Sequence, residues 1–311
     1  MKIGIISDIH SNIYAFKACM EYMEKNKCEE YLFLGDYISD LPYTRETMTF
    51  LYEFAETHTC YFLRGNREEY MLDQRKARKN HITDQMWISN SASGNLLYTY
   101  RQLVDKDFEF FDKLPITFVY KKEGFPSITC CHGSPASSRE LLQLNEKPAQ
   151  KWLDQIDTDY LICAHTHYPG QLEYNGKHYF NSGSAGISID DAGFAQCIIL
   201  KDGIQNGKNI WEPEFLKVPY NHHKVVEDTI SSGLLDVAPW FVNSNLYTIL
   251  TGNDYSAKMV SLANELSAKE NSDAKWPNID EKYFEQAAKH FGIPDYRKIK
   301  KADSVENKDE N

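Results

Sequence analysis

Apolar and polar positions alternate along this chain in two rhythms. Near-continuous apolar runs of strand length occur at 2–7, 31–34, 60–63, 127–131 and 160–164, as expected for strands covered on both faces. Between the first two runs, Ile13, Phe16, Met20 and Met23 recur at helical spacing behind Ser11 and Asn12. Short polar side chains of this kind cap helix N-termini, so a helix is predicted to start there with Asn12 as a cap. Residues 44–57 read as a second helix. The first half is therefore an α/β alternation.

Beyond residue 160 the rhythm changes. Segments 171–174 and 177–181 flank Asn175-Gly176, a strong hairpin signal. Segments 195–200 and 210–218 read as further strands, the first ending in a turn at Lys201-Asp202-Gly203. The chain is thus expected to gain antiparallel strands and a second sheet. Residues 71–113 read as a helical insertion rich in aromatics (Trp87, Tyr98, Tyr100, Phe108, Phe110, Phe111) that either packs its own core or roofs a cleft. A domain over 1–218 would carry this insertion, followed by a helical carboxyl-terminal extension over 219–296 and a mobile charged tail over 297–311.

Composition narrows the classes. With 42% hydrophobic and 25% charged residues among 311, the chain has the make-up of a folded, water-soluble protein. Lys plus Arg number 34 against 45 Asp plus Glu, a net charge of −11 that disfavours general nucleic-acid binding. The opening MKIGIISDIH lacks a signal-peptide pattern, and no run is long enough to span a bilayer. Seven irregularly spaced cysteines without a C-x-x-C pair argue against a disulfide framework. Cys130, Cys131 and Cys163 read as small buried hydrophobes rather than a thiolate site. A cytoplasmic, non-membrane protein is expected, with room for self-association into a homo-oligomer.

The chemistry lies just past the strands. Asp8 and His10 follow the first run, Asp36 the second, Asn66 the third, His132 the run at 127–131, and His165 with His167 the run at 160–164. Ligands collect at the carboxyl edge of open α/β sheets, where strand ends fix geometry and loops leave side chains free. Two carboxylates, one amide and four imidazoles suit Mn, Fe, Zn or Ni better than Mg or Ca. Seven ligands exceed what one tetrahedral ion needs. With Asp36 bridging, they would suit two ions roughly 3.5–4 Å apart, a clamp for the attacking and leaving oxygens of a phosphoryl displacement. The other histidines, His58, His81, His178, His222, His223 and His290, keep ordinary structural or solvated readings.

Asp8-Ile9-His10, Gly35-Asp36, Gly65-Asn66-Arg67-Glu68, His132-Gly133 and His165-Thr166-His167 resemble, in order, the five blocks of the calcineurin-like metallophosphoesterases. The resemblance spans about residues 1–200. The DIHSN, CHGSP and HTHYP strings, with Asn181 to Gly186, are similar to the compact prokaryotic phosphodiesterase and phosphatase branch. It implies a four-layer αββα sandwich of two mixed β-sheets. It also implies a first divalent metal held by Asp8, His10, Asp36 and His167, and a second by Asp36, Asn66, His132 and His165, with Mn or Fe favoured. A hydroxide bridging the ions would be the nucleophile on a small phosphorylated substrate. Alternatives are a protein serine/threonine phosphatase or nuclease of the same family, or a non-catalytic scaffold with this fold.

One position departs from the family pattern. Many members carry His where this chain has Arg67, and an arginine cannot release a proton at ordinary pH. It can still bind substrate and offset charge on phosphoryl oxygens. The expectation is a catalytic role for Asn66 and Arg67 on substrates with good leaving groups, phosphoanhydrides or aryl esters. The plainer reading pairs Arg67 with Glu68, Glu69 or a surface acid.

Overall fold

The computed structural model describes residues 1–144, 146–270 and 276–298. The expected tail over 297–311 lies, from residue 299 on, outside the described residues. In chain order the elements begin β1 (Lys2–Ile6), α1 (Ile13–Lys25), β2 (Glu30–Phe33), α2 (Thr44–Thr57), β3 (Thr59–Phe62) and α3 (Asn66–Lys79). They continue with a 3-10 turn (Thr83–Gln85), α4 (Gly94–Tyr100), α5 (Asp105–Lys113), β4 (Thr117–Tyr120), β5 (Ile128–Cys131), α6 (Lys147–Gln155) and β6 (Tyr160–Cys163). Then come β7 (Gly170–Tyr174), β8 (Lys177–Asn181), β9 (Phe194–Gln205) and β10 (Lys208–Pro219). The chain closes with α7 (His222–Ser231), α8 (Leu234–Val237), α9 (Pro239–Thr251), α10 (Tyr255–Glu270) and α11 (Glu281–His290).

Two mixed five-stranded sheets run β10-β9-β1-β2-β3 and β4-β5-β6-β8-β7. Strands β1, β2 and β3 are parallel, as are β5, β6 and β8, while the flanking strands are antiparallel. The period of two along each strand builds the layers. Ile3, Ile5, Leu32 and Leu34 meet Ile128, Cys130, Ile162 and Phe180 between the sheets. The alternate residues Ile6, Tyr31 and Phe33 face Phe16, Met20, Met48 and Leu51 of α1 and α2. On the far side, Cys131, Leu161, Cys163 and Tyr179 pack against Ala149 and Leu153 of α6. The order helix, sheet, sheet, helix is the four-layer αββα sandwich. The three cysteines are buried in it, and burial pushes the thiols of Cys130 and Cys131 well up.

Asn12 caps α1, its side chain accepting from the Ala15 amide at 3.2 Å. The Asn175-Gly176 hairpin forms with φ of 51° and 73°. The expected turn at Lys201-Asp202-Gly203 does not form. The strand runs on to Gln205, and the chain reverses at Asn206-Gly207, with φ of 52° and 74°. Register decides between the two turns: Asp202 pairs with Trp211 and Gly203 with Ile210. That pairing buries the Trp211 ring between the sheets, where its Nε1–H donates to the Pro126 carbonyl at 2.9 Å.

The stretch read as an insertion does not pack a separate core of its own but shares the main one and lines a cleft. Trp87, Leu97, Phe108 and Phe111 join the core against α1 and α2, while Ser91, Asn95 and Leu96 line a cleft of about 520 Å³. Helices α9 and α10 form the other wall of that cleft through Asn245, Thr248 and Ser256. No described helix is long and apolar enough to cross a membrane.

Candidate metal centre

All seven expected ligands lie past the carboxyl ends of strands and converge on the edge where both sheets present those ends. Backbone bonds lace the loops together. The Asp8 amide donates to the Gly35 carbonyl at 3.1 Å, His10 to Asp36 at 3.0 Å, and Gly186 to Asp8 at 2.9 Å. Five of the seven hold left-handed backbone, at φ 49° (Asp8), 49° (His10), 53° (Asp36), 68° (His165) and 61° (His167). Asp, Asn and His tolerate this region best among residues with a side chain, yet such positions cost ~1–3 kcal/mol each. Two glycines make room: a Cβ on Gly65 would meet Asp36 Oδ1 at 2.1 Å, and one on Gly186 would meet the Ile9 carbonyl at 2.0 Å.

The donor atoms form two sets. Asp8, His10 and His167 make one and Asp36, His132 and His165 the other, each with its donor atoms within 4.8 Å of one another. Asp8 Oδ1 lies 3.3 Å from His167 Nε2 and 3.7 Å from His10 Nε2. Asp36 Oδ2 faces both sets, 3.4 Å from His132 Nε2 and 3.9 Å from His10 Nε2. Asn66, the first residue of α3, brings Oδ1 to 3.0 Å from His132 Nε2.

Three observations fit divalent cations. First, Asp8 Oδ1 is a buried oxygen with no hydrogen-bond partner, a costly state for a carboxylate unless a charge faces it. Second, His10 Nε2 and His167 Nε2 point at each other across 3.0 Å. Third, carbonyl oxygens sit behind two rings, Leu34 at 2.7 Å from His132 Nδ1 and Ile187 at 2.8 Å from His167 Nδ1. They take the Nδ1 protons and leave the Nε2 lone pairs turned inward, the tautomer a metal ligand needs.

Electrostatics agree. Burial opposes charge on His10 and His132, but the carboxylates of Asp40, Asp8 and Asp36 hold His10 up at about 9, and Asp36 and Asp8 hold His132 up at about 10. Burial and the neighbouring His132 push His165 down to about 4. Burial works to raise Asp8 and Asp36 as well, yet the facing imidazoles keep both below the usual carboxylate range. Without ions, protons on two imidazoles supply the positive charge that the carboxylates demand.

Two residues have roles here that the sequence did not show. Asp40 is buried, with Oδ2 3.0 Å from His10 Nδ1 and 2.9 Å from Arg67 Nη2, while its Oδ1 accepts from Asn95 Nδ2 at 2.5 Å. Glu68 is fully buried and accepts the amides of Asp36 (2.9 Å), Tyr37 (2.9 Å) and Gly65 (2.8 Å), clamping the Asp36 loop to the start of α3. Neither Glu68, Glu69 nor a surface acid pairs with Arg67. Its partner is the buried Asp40, because Glu68 is spent on backbone amides and Glu69 accepts from the Ser138 hydroxyl at 2.6 Å. Arg67 lines the cleft beside His165 and His167, and its Nε has no hydrogen-bond partner. The other six histidines lie outside both donor sets. His58 stacks on Phe54, His178 stacks on Tyr160, and His222 opens α7.

The geometry has counterparts. The fold resembles that of the hypothetical protein PH1004 from Pyrococcus horikoshii OT3, with a TM-score of 0.67 at 21% identity over 81% of this chain and 98% of that one. It also resembles a metallophosphoesterase from Sphaerobacter thermophilus, with a TM-score of 0.58 at 19% identity over 80% of this chain and all (100%) of that one. At these identities the likeness speaks for the fold. No curated protein matches the sequence. The family model for calcineurin-like phosphoesterases matches residues 1–185, the span that holds every donor of both sets. The chain therefore belongs to the calcineurin-like phosphoesterase family and is a hydrolase of the metallophosphoesterase kind.

Proposed function

We propose that this protein is a cytoplasmic, dinuclear metal-dependent phosphoesterase that acts on a small phosphorylated molecule. The observation that carries the reading is the pair of donor sets joined at Asp36 Oδ2. Asp8, His10, Asp36 and His167 would hold one ion and Asp36, Asn66, His132 and His165 the other, with Mn or Fe favoured by this mixture of oxygen and nitrogen donors. When bound, such ions supply Lewis-acid charge to the phosphoryl group and make water nucleophilic near neutral pH.

The chain's own residues do the remaining work. Asp36 is held by Glu68 through its backbone and by the Arg67 amide on Oδ1 at 2.8 Å. Arg67 lines the cleft with Nη2 paired to Asp40 and Nε 3.8 Å from Asp36 Oδ2, and its guanidinium charge would offset charge on the equatorial oxygens. It has no proton to give a departing alkoxide, so leaving groups that depart as anions are favoured. Among the described residues Arg67 is the sole Lys or Arg lining the cleft, which supports a small substrate over a nucleic acid that needs a basic track.

The test is metal analysis of the purified protein, then rates on a series of substituted aryl phosphates with Mn²⁺. Two equivalents of metal and a rate rising steeply as leaving-group pKa falls are expected. A chain that binds no divalent ion at micromolar concentration, or a flat leaving-group series, would refute it.

A further inference from the structure

The cleft above the metal centre has two ends of different chemistry. Among the described residues lining it, two side chains carry a buried donor with no partner, Arg67 through Nε and Asn245 through Nδ2. Arg67 belongs to the phosphoryl end. Asn245 stands on α9, contributed by the chain some 180 residues later, and is 1% exposed.

The Ser256 hydroxyl donates to Asn245 Oδ1 at 2.5 Å, which fixes the amide and leaves its NH2 unspent. The neighbouring polar groups are satisfied within the protein. The Ser91 hydroxyl donates to Glu281 at 2.6 Å, Asn95 donates to Asp40, and Thr248 Oγ1 accepts from the Tyr255 amide at 3.1 Å. A buried donor left unpaired costs ~1–3 kcal/mol, so among the described residues Asn245 is the buried unpaired donor that α9 brings to this cleft.

Charge narrows what it reads. Arg67 is already paired with Asp40, and Asp254 adds negative charge to the opposite wall. A phosphoanhydride would carry a second anionic group into this cleft, where the described lining offers no side-chain cation besides Arg67 to meet it. Tyr70 and Trp276 line the cleft with rings 5.8 Å apart, and both continue into a neighbouring groove that Trp87 also lines, with Lys76 and Arg139 balanced by Asp73 and Asp84. Flat groups suit the paired rings.

We propose that the substrate is a phosphate ester of an uncharged phenolic or enolic compound bearing a further oxygen acceptor, which receives a hydrogen bond from the Asn245 amide. This rests on the phosphoesterase reading and selects, between the two kinds of good leaving group, the ester over the anhydride. Asn245 is then a specificity residue donated to the site by the helical extension.

The probes are 4-methylumbelliferyl phosphate, whose ring carbonyl is an acceptor, and 2-naphthyl phosphate, a fused aryl ester of like size without one. In Asn245→Ala and Asn245→Asp with Mn²⁺, the ratio of kcat/KM for the first to that for the second should fall about tenfold from the wild-type ratio, the loss of one hydrogen bond. The affinity of the metal-free protein for 4-methylumbelliferone, followed by fluorescence, should weaken in step. An unmoved ratio with unmoved affinity, or a parallel loss on both esters, would overturn the assignment of Asn245. Wild-type enzyme should prefer 4-methylumbelliferyl phosphate to adenosine diphosphate and pyrophosphate, a comparison that needs no variant, and the reverse order would overturn the charge argument. If wild-type protein with Mn²⁺ cleaves none of these compounds, the phosphoesterase reading falls together with this one.

Discussion

Replacing Asp40 by Asn keeps the side chain's shape and removes its charge. The carboxylate faces three groups: Oδ1 accepts from Asn95 Nδ2, and Oδ2 pairs with His10 Nδ1 and Arg67 Nη2. An amide offers one oxygen, so whichever way it turns its NH2 group faces a donor. Arg67 then keeps only Asp36 Oδ2, 3.8 Å from its Nε. Breaking a fully buried pair costs ~3–5 kcal/mol. The Arg67 side chain is 19% exposed, so water recovers part of that and a loss of about 2–3 kcal/mol is expected. The protein should still fold, since domains of this kind hold ~5–15 kcal/mol.

The functional cost falls on one metal. Asp40 stands behind His10, whose Nε2 faces Asp8 and His167, and losing such a supporting carboxylate weakens metal binding by about 10–100-fold. Isothermal titration of Asp40→Asn with Mn²⁺, beside urea unfolding, reads both effects. One of two binding events should weaken while the other, at Asp36, His132 and His165, stays near its wild-type affinity. Two binding events within twofold of wild type, in a variant destabilised or not, would refute the role given to Asp40.

Gly65→Ala should abolish tight metal binding with little effect on backbone strain. Its Cβ would sit 2.1 Å from Asp36 Oδ1, while φ at Gly65 is −92°, which alanine accepts. Metal content after dialysis checks it. The metal-free protein should lose stability as pH rises from 7 to 9. His10 and His132 titrate near 9 and 10 in the fold, above the ordinary 6.5. Their contribution is fully present below pH 6.5 and is lost as pH climbs through the folded values, by about 1.4 kcal/mol per pH unit for each retained proton. Saturating Mn²⁺ should cancel or reverse the slope, because ligand imidazoles must give up those protons to bind metal. Thermal unfolding at several pH values with and without Mn²⁺ reads both arms, and matching slopes would contradict the two donor sets.

The sandwich was legible because its strands are written in a period the eye can count. Ile3 and Ile5 alternate with Gly4 and Ile6, and Leu32 and Leu34 with Tyr31 and Phe33, each set going to a different layer. The donors were legible because each follows such a run. Strand β4 and helix α6 were not, since four residues on a sheet edge and nine with two buried apolar positions leave almost no periodic trace. Asp40 and Asn245 belong to a third kind. Their importance comes from what faces them across the fold, Arg67 and Asn95 in one case and the cleft in the other, and nothing within a few residues of either announces it. The misplaced turn shows the same physics. Asp202-Gly203 and Asn206-Gly207 are both good turn pairs, and only the burial of Trp211 against the second sheet selects between them.

Five ligand residues in left-handed backbone would each argue against the local structure if read alone. They persist because the loops are over-determined. Glu68 holds three amides, Asp8 Oδ2 accepts the His165 amide at 3.1 Å, and Ser184 Oγ donates to the Asp8 carbonyl at 2.9 Å. The same contacts that support the strain also aim Asp8, Asp36 and four imidazoles at one small volume, which repels itself unless protons or cations enter it. Backbone strain and charge repulsion are thus two sides of one arrangement. Loss of the Glu68 clamp leaves three amides unpaired in either form, and it should destabilise the metal-loaded protein more than the metal-free one, because only the former also needs Asp36 held in place against a cation.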